Sequence, residues 1–228
     1  EAFNCESLQE IFVINEMAHL HGVKANISVR INPDIDAHTH KYVTTGLYEN
    51  KFGISNHEFD KLIEFIQKSE HINFFGLHFH IGSQITRVKE VFSLECQRVN
   101  EIVKYFESKG LTVNNINLGG GLGVDYDDPD GSPIADFETW FNAISDNIIR
   151  RKDQAVHVEP GRSLVAQCAS LISRVLFVKS GETKNFLIMD AGMNDLIRPA
   201  LYGAYHKIEN LSAAQRSFFP TYQAYDIV

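Results

Sequence analysis

The sequence predicts an α/β fold of repeated parallel strand–helix units, followed by a β-rich part. Three observations carry this. Short apolar runs recur roughly every 25 to 45 residues with amphipathic helical stretches between them. Glycines and polar residues gather just after those runs, where an open α/β sheet or a β/α barrel places its site. Beyond Arg162 the texture changes: 164–178 and 186–189 lack intervening long helices, which suggests a β-rich part. The expected division is 1–164 for the strand–helix part and 165–228 for the β-rich part.

Each element has a local reason. Ser7 and Glu10 have capping-box spacing and open a helix through Ile11, Ile14 and Ala18, which Gly22 stops. Ile27 to Ile31 is strand-like and closes on Asn32-Pro33. Ser55 and Glu58 form a second box ahead of the stripe Phe59, Leu62, Ile63 and Ile66. Phe74 to Ile81 reads as a buried strand. Val88, Phe92, Cys96, Val99, Val103 and Phe106 mark one helical face ending at Gly110. Val113 to Leu118 is a strand, Ile134 to Ile148 a helix, and Val156 to Glu159 the last strand of this rhythm.

Composition excludes several classes. The 228 residues are 44% apolar and 22% charged, as in a globular protein. The net charge of −8 is spread along the chain with no basic stripe, so nucleic acid is not an expected partner. No apolar run is long enough to span a bilayer. Cys5, Cys96 and Cys168 are odd in number and far apart, which indicates neither a disulfide framework nor a zinc knuckle and fits a reduced, cytoplasmic setting. The chain opens on Glu1-Ala2-Phe3 and closes on Ile227-Val228, so a fragment of a longer protein is expected.

Four strings carry chemistry. Gly119-Gly120-Gly121 follows a strand and permits backbone N–H groups to crowd an anion; a tight turn is the plainer alternative. The spacing departs from G-x-G-x-x-G, so a phosphate suits it better than a dinucleotide. Glu159-Pro160-Gly161-Arg162 joins a carboxylate, a rigid bend, a backbone N–H and a guanidinium at a strand end. His78 and His80 share one strand face ahead of Gly82-Ser83-Gln84. A metal pair or hydrogen-bonded core histidines would both explain them, and without a third ligand no metal is expected. Arg198 and Tyr202 follow Asp190-Ala191-Gly192-Met193-Asn194 and offer an anion-binding or merely surface cation.

Together these strings resemble the diaminopimelate decarboxylase family. The matching segments are Phe3-Asn4-Cys5-Glu6-Ser7, Val29-Arg30-Ile31-Asn32-Pro33, Lys51-Phe52-Gly53-Ile54, His78 to Gln84, Asn117 to Gly121, Glu159 to Arg162 and Asp190 to Asn194, in family order. The resemblance implies a pyridoxal 5'-phosphate (PLP)-binding, TIM-like β/α barrel, represented here by strands 4–8, and part of a β-rich C-terminal domain. It implies decarboxylation of meso-2,6-diaminopimelate to L-lysine and CO2, with a homodimer building each site at its interface. Glu159 would pair with the cofactor's ring nitrogen and His80 would stack on the ring. Ser83, Gly119, Gly120, Gly121, Gly161 and Arg162 would bind its phosphate. Arg162, Arg198 and Tyr202 would hold the distal end of the substrate.

The family's Schiff-base lysine belongs to a first barrel strand outside this sequence, since Lys51 matches a different string. The Cys-Glu-Ser segment is also absent, and Phe218 to Gln223 matches no family string. The 228 residues alone are therefore expected to be inactive. Another basic amino-acid or polyamine decarboxylase, and a non-catalytic PLP-binding relative, are the alternatives.

Overall fold

The computed structural model describes residues 2–35, 51–131, 133–212 and 223–228. Residues 218–222, part of the segment matched to no family string, lie outside them. The described residues divide into two compact units, Glu1–Val124 with Ser132–Ala166, and Asp125–Gly131 with Gln167–Val228.

The first unit is a parallel sheet of five strands in sequence order, β1 (Phe3–Cys5), β2 (Ala25–Arg30), β3 (Ile72–His78), β4 (Asn115–Asn117) and β5 (Ala155–His157). Sequential neighbours that pair in parallel require a crossover after every strand. The crossovers hold α1 (Leu8–Leu20), α2 (Phe59–Lys68), α3 (Val88–Ser108) and α4 (Phe137–Asn147). The α/β reading with a parallel sheet is borne out, and the sheet ends on two edges, β1 and β5, among the described residues.

Capping decides where two helices start. Ser7 Oγ accepts from Glu10 N at 3.2 Å, and Glu10 reaches back to the N–H of Glu6 at 2.7 Å. Asp136 Oδ1 accepts from Thr139 N at 3.0 Å and opens α4. The expected box at Ser55 does not form. A 3-10 turn, Asn56–Glu58, precedes α2, and Ser55 makes no side-chain capping bond. The tighter turn spends the N–H of Glu58 on the Ser55 carbonyl, so no helical N3 donor is presented to the hydroxyl.

One sheet face carries Cys5, Ile27, Val29, Leu77 and Ile116, all fully buried. An aromatic seam ties the helices to it. Phe106 of α3 meets Phe59 of α2 at 5.1 Å and Phe74 of β3 at 6.4 Å between ring centroids. Burying a phenyl ring contributes about 1.5–3 kcal/mol, whereas an exposed pair such as Lys68–Glu64 contributes below ~1 kcal/mol. Packing therefore decides this layer. β3 is irregular: Ile27 pairs with Phe74 and Ser28 with Gly76, which leaves Phe75 as an extra residue.

Glu95 is the exception in α3. It is 0% exposed and neither carboxylate oxygen has a hydrogen-bond partner. Burial without a charged partner pushes its carboxyl well above the usual carboxylate range, which favours the neutral form in the fold. A carboxyl raised on folding costs stability as pH rises from the ordinary carboxylate value towards the raised one, by about 1.4 kcal/mol per pH unit in that window. Glu95→Gln should flatten this slope. Its urea midpoint should match wild type near pH 4 and exceed it at pH 8; parallel pH profiles for the two proteins would refute the assignment.

In the second unit β6 (Val175–Ser180) pairs antiparallel with β7 (Asn185–Met189), and β7 pairs parallel with β8 (Asp226–Ile227). The β-rich character is borne out. Arg162–Val165 forms a helical turn, α5, closed by Ala166 N to Arg162 O at 2.9 Å. Pairing begins only at Val175, where β7 lies alongside and overrides local preference.

Candidate active site

The other face of the five-stranded sheet is polar. Parallel register sets Asn4 beside Ser28 and, two residues on, Arg30 beside His78, Asn117 and His157. Diagonal hydrogen bonds link the rows. His157 Nε2 meets Asn115 Oδ1 at 3.0 Å, and Asn117 Nδ2 donates to Glu159 Oε1 at 2.8 Å. A cleft of about 330 Å³ runs over this face, lined by Asn4, Ser28, Asn115, Asn117, His157 and Glu159 among others. Glu159, half exposed, presents its carboxylate there. Arg30 is committed elsewhere, to Glu6 Oε1 at 2.5 Å, with its guanidinium 4.8 Å from the Phe52 ring centroid. That pair joins the ends of β1 and β2, and the second Glu6 oxygen accepts from Gly53 N at 2.8 Å.

The glycines after β4 are wedged between the segments that follow β3 and β5. A Cβ on Gly120 would lie 2.0 Å from the Glu159 carbonyl oxygen, and one on Gly119 would lie 2.3 Å from that of Phe79. Gly119 and Gly121 have φ of +68° and +104°. The anion cradle is narrower than the glycine string suggests. Gly119 N donates to Asn117 Oδ1 at 2.9 Å and Gly120 N to His80 Nδ1 at 3.3 Å. The N–H groups of Gly121 and Gly161 and the Ser83 hydroxyl form no hydrogen bond among the described residues. Each lies a few residues beyond a strand, Ser83 after β3, Gly121 after β4 and Gly161 after β5.

The two histidines are distinguished by their partners. Accepting from Gly120 leaves His80 with its proton on Nε2, and burial, then Arg30, then His78 lower its pKa, so the ring is neutral at physiological pH. His78 Nε2 lies 3.4 Å from Glu159 Oε2, outside hydrogen-bond geometry. Burial lowers its pKa more than the Glu159 charge raises it, so His78 is also neutral. Arg162 Nη1 donates to Gln84 Oε1 at 2.9 Å.

The structure thus gathers His80, Gly119, Gly120, Gly121, Glu159, Gly161 and Arg162 in the first unit, with Ser83 one residue beyond Gly82, whose carbonyl abuts Gly121. Arg198 and Tyr202 belong to the second unit, where the guanidinium lies 5.2 Å from the Tyr202 ring and 5.4 Å from that of Tyr126. Sequence reasoning assigned no role to Asn117 or Gln84. Asn117 carried a readable signal: it ends a strand, on the face that Glu159 extends. Lys51 stands against the Phe52 ring at 4.9 Å.

The family model described as pyridoxal-dependent decarboxylase, pyridoxal binding domain, matches residues 1–166. The chain belongs to this family. A diaminopimelate decarboxylase of Bacteroides thetaiotaomicron is 48% identical over 226 residues, covering 99% of this chain and 57% of that protein. One from Neisseria meningitidis is 41% identical over 209 residues, covering 92% and 50%. The crystal structure of a Helicobacter pylori diaminopimelate decarboxylase mutant complexed with L-lysine superposes with a TM-score of 0.81 at 39% identity, covering 90% of this chain and 50% of that one. The chain therefore spans about half the length of the curated relatives it matches.

The residues present fit the family's cofactor. A carboxylate fixed by Asn117 suits a protonated ring nitrogen, and the donors of Ser83, Gly121 and Gly161 suit a phosphate. His80 offers a neutral ring beside the glycine loop.

Proposed function

We propose that this chain supplies the cofactor-binding face of a PLP-dependent enzyme that decarboxylates meso-2,6-diaminopimelate to L-lysine and CO2. The observation that carries it is the Glu159 carboxylate, held by Asn117 at 2.8 Å and turned to the polar cleft. The similarity to diaminopimelate decarboxylases over 99% and 92% of the chain supports the choice of substrate.

PLP, when bound, supplies a protonated pyridine ring that takes up the electron pair left as CO2 departs. Glu159 keeps the proton on that nitrogen by accepting it as a charged hydrogen bond. Asn117 prevents the carboxylate from rotating away, and neutral His80 can lie against the ring without repelling its positive charge. Ser83, Gly121 and Gly161 bind the phosphate. Arg162 orients the substrate's remaining carboxylate, for which a planar guanidinium fork is suited, and Arg198 and Tyr202 are further substrate-binding candidates.

Closure of the five-stranded sheet into a TIM-like barrel belongs to the same proposal, supported by the two edges at β1 and β5. So do the division near residue 165 and a homodimer with its site at the interface. An absorbance spectrum of the full-length protein with PLP, taken before and after adding meso-diaminopimelate, tests the reading. A cofactor band that shifts with CO2 release is expected. A band that responds to L-ornithine or L-lysine but ignores diaminopimelate would move the substrate to a related decarboxylase.

A further inference from the structure

We propose that His78 is a positioning residue that donates from Nε2 to the second oxygen of the Glu159 carboxylate, completing the hold that Asn117 begins. The inference rests on the function proposed above and deepens it.

His78 ends β3 and is only 6% exposed, yet neither ring nitrogen forms a hydrogen bond. A buried polar group left unmatched costs more than an ordinary hydrogen bond returns, so such groups are few in folded proteins. One nitrogen has an evident target. Nε2 lies 3.4 Å from Glu159 Oε2, just beyond the range of about 2.7–3.2 Å for an N–H···O bond. A small turn of either side chain closes the gap.

The strand register explains why two residues reach one carboxylate. His78 and Asn117 are direct neighbours on β3 and β4, and Asn117 pairs in turn with His157 on β5, two residues before Glu159. Glu159 leans back over this row. Its Oε1 takes the Asn117 amide at 2.8 Å and its Oε2 faces His78. Each oxygen is matched to a donor on an adjacent strand.

The state of the ring suits the task. Burial outweighs the Glu159 charge and keeps the imidazole neutral, so it carries one proton. Nδ1 has no partner, whereas Nε2 faces a carboxylate, which sets the proton on Nε2. Two neutral donors fix the plane of the carboxylate and leave its negative charge and remaining lone pairs for a ring N–H. A lysine or arginine in place of His78 would form an ion pair and compete for that charge.

The test uses the full-length protein with His78→Gln and His78→Asn. The Gln amide nitrogen sits as far along the side chain as His Nε2, whereas the Asn amide ends at the place of Nδ1. Both keep a polar amide, and only Gln restores the donor. The PLP dissociation constant by equilibrium dialysis, kcat for meso-diaminopimelate and the urea midpoint of the cofactor-free protein are measured for each, alone and with Glu159→Gln. His78→Asn should weaken PLP binding and lower kcat about tenfold each, the size expected for a hydrogen bond to a charged group. His78→Gln should recover both to within about threefold of wild type, with urea midpoints alike in the two variants. Beside Glu159→Gln, His78→Asn should change either quantity less than about twofold, because the charge it serves is gone. Equal losses in both variants, following a common fall in urea midpoint, would make His78 a packing residue and overturn the inference. A wild-type His78→Asn enzyme, or a loss that persists undiminished beside Glu159→Gln, would overturn it as well and leave the proposed function standing. A parent protein that retains no PLP would overturn both.

Discussion

Replacing Gly120 with alanine is expected to lower kcat/KM of the full-length protein by about a hundredfold or more, the size of effect that a displacement near 1 Å produces at a reacting centre. The added Cβ would sit 2.0 Å from the Glu159 carbonyl oxygen, which is backbone and has no rotamer to escape into. That peptide is itself anchored, with Glu159 N donating to Gly119 O at 2.6 Å. Relief requires moving either the glycine loop or the base of the Glu159 side chain, and both belong to the site. A stability loss of about 1–3 kcal/mol should accompany it, as for other forced overpacking. Gly22→Ala is the control: its φ is +62° but no atom lies within 4 Å of the added methyl. It should cost only about 1–2 kcal/mol of backbone strain and leave kcat/KM unchanged. If Gly120→Ala retains full activity, the glycine loop does not nest against Glu159 in the way described.

Glu159→Gln should leave the fold and the cleft intact and lower kcat by about 10²–10³-fold, the range seen when one preorganised electrostatic partner of a developing charge is removed. The amide keeps the shape and loses the negative charge that holds a proton on the cofactor ring. Asn117→Ala acts one bond further away. It frees Glu159 Oε1 and should cost about tenfold, since the carboxylate retains its charge and loses only its orientation. Steady-state kinetics and cofactor retention, measured on both variants, separate charge from aim. A Gln variant within twofold of wild type would remove Glu159 from the chemistry.

Much of this arrangement was legible because it is written in local patterns. The α1 cap at Ser7, the apolar stripes of α2 and α3, and the strand-end strings at His80, Gly119 and Glu159 are each set by neighbouring residues. What escaped was decided at longer range. β1 has only three residues and no alternation to read, and it exists because β2 offers Phe3 to Cys5 a register. Glu95 sits among helix-favouring neighbours as any exposed glutamate would, and its burial comes from packing that the helical period cannot rank. The Asn117–Glu159 and Gln84–Arg162 bonds join residues separated by 42 and 78 positions, so they had no sequence signal beyond the strings that contain them. Ser55 failed as a cap for a local reason, a turn one residue too tight.

The extra residue in β3 has an effect out of proportion to its size. Ahead of Phe75 the even-numbered side chains Ile72 and Phe74 join the apolar layer; beyond it the odd-numbered Leu77 and Phe79 are fully buried and His78 stands across from Glu159. Phe75 thus works as a frameshift within a strand whose reading unit is two residues. Deleting it would reverse the parity of one side of the irregularity, sending either a histidine into oil or a leucine into the chemistry. A chain of this kind can exchange apolar residues of similar volume on the helix side of β3, yet it cannot gain or lose one residue between Ile72 and His78 and still spell the same site.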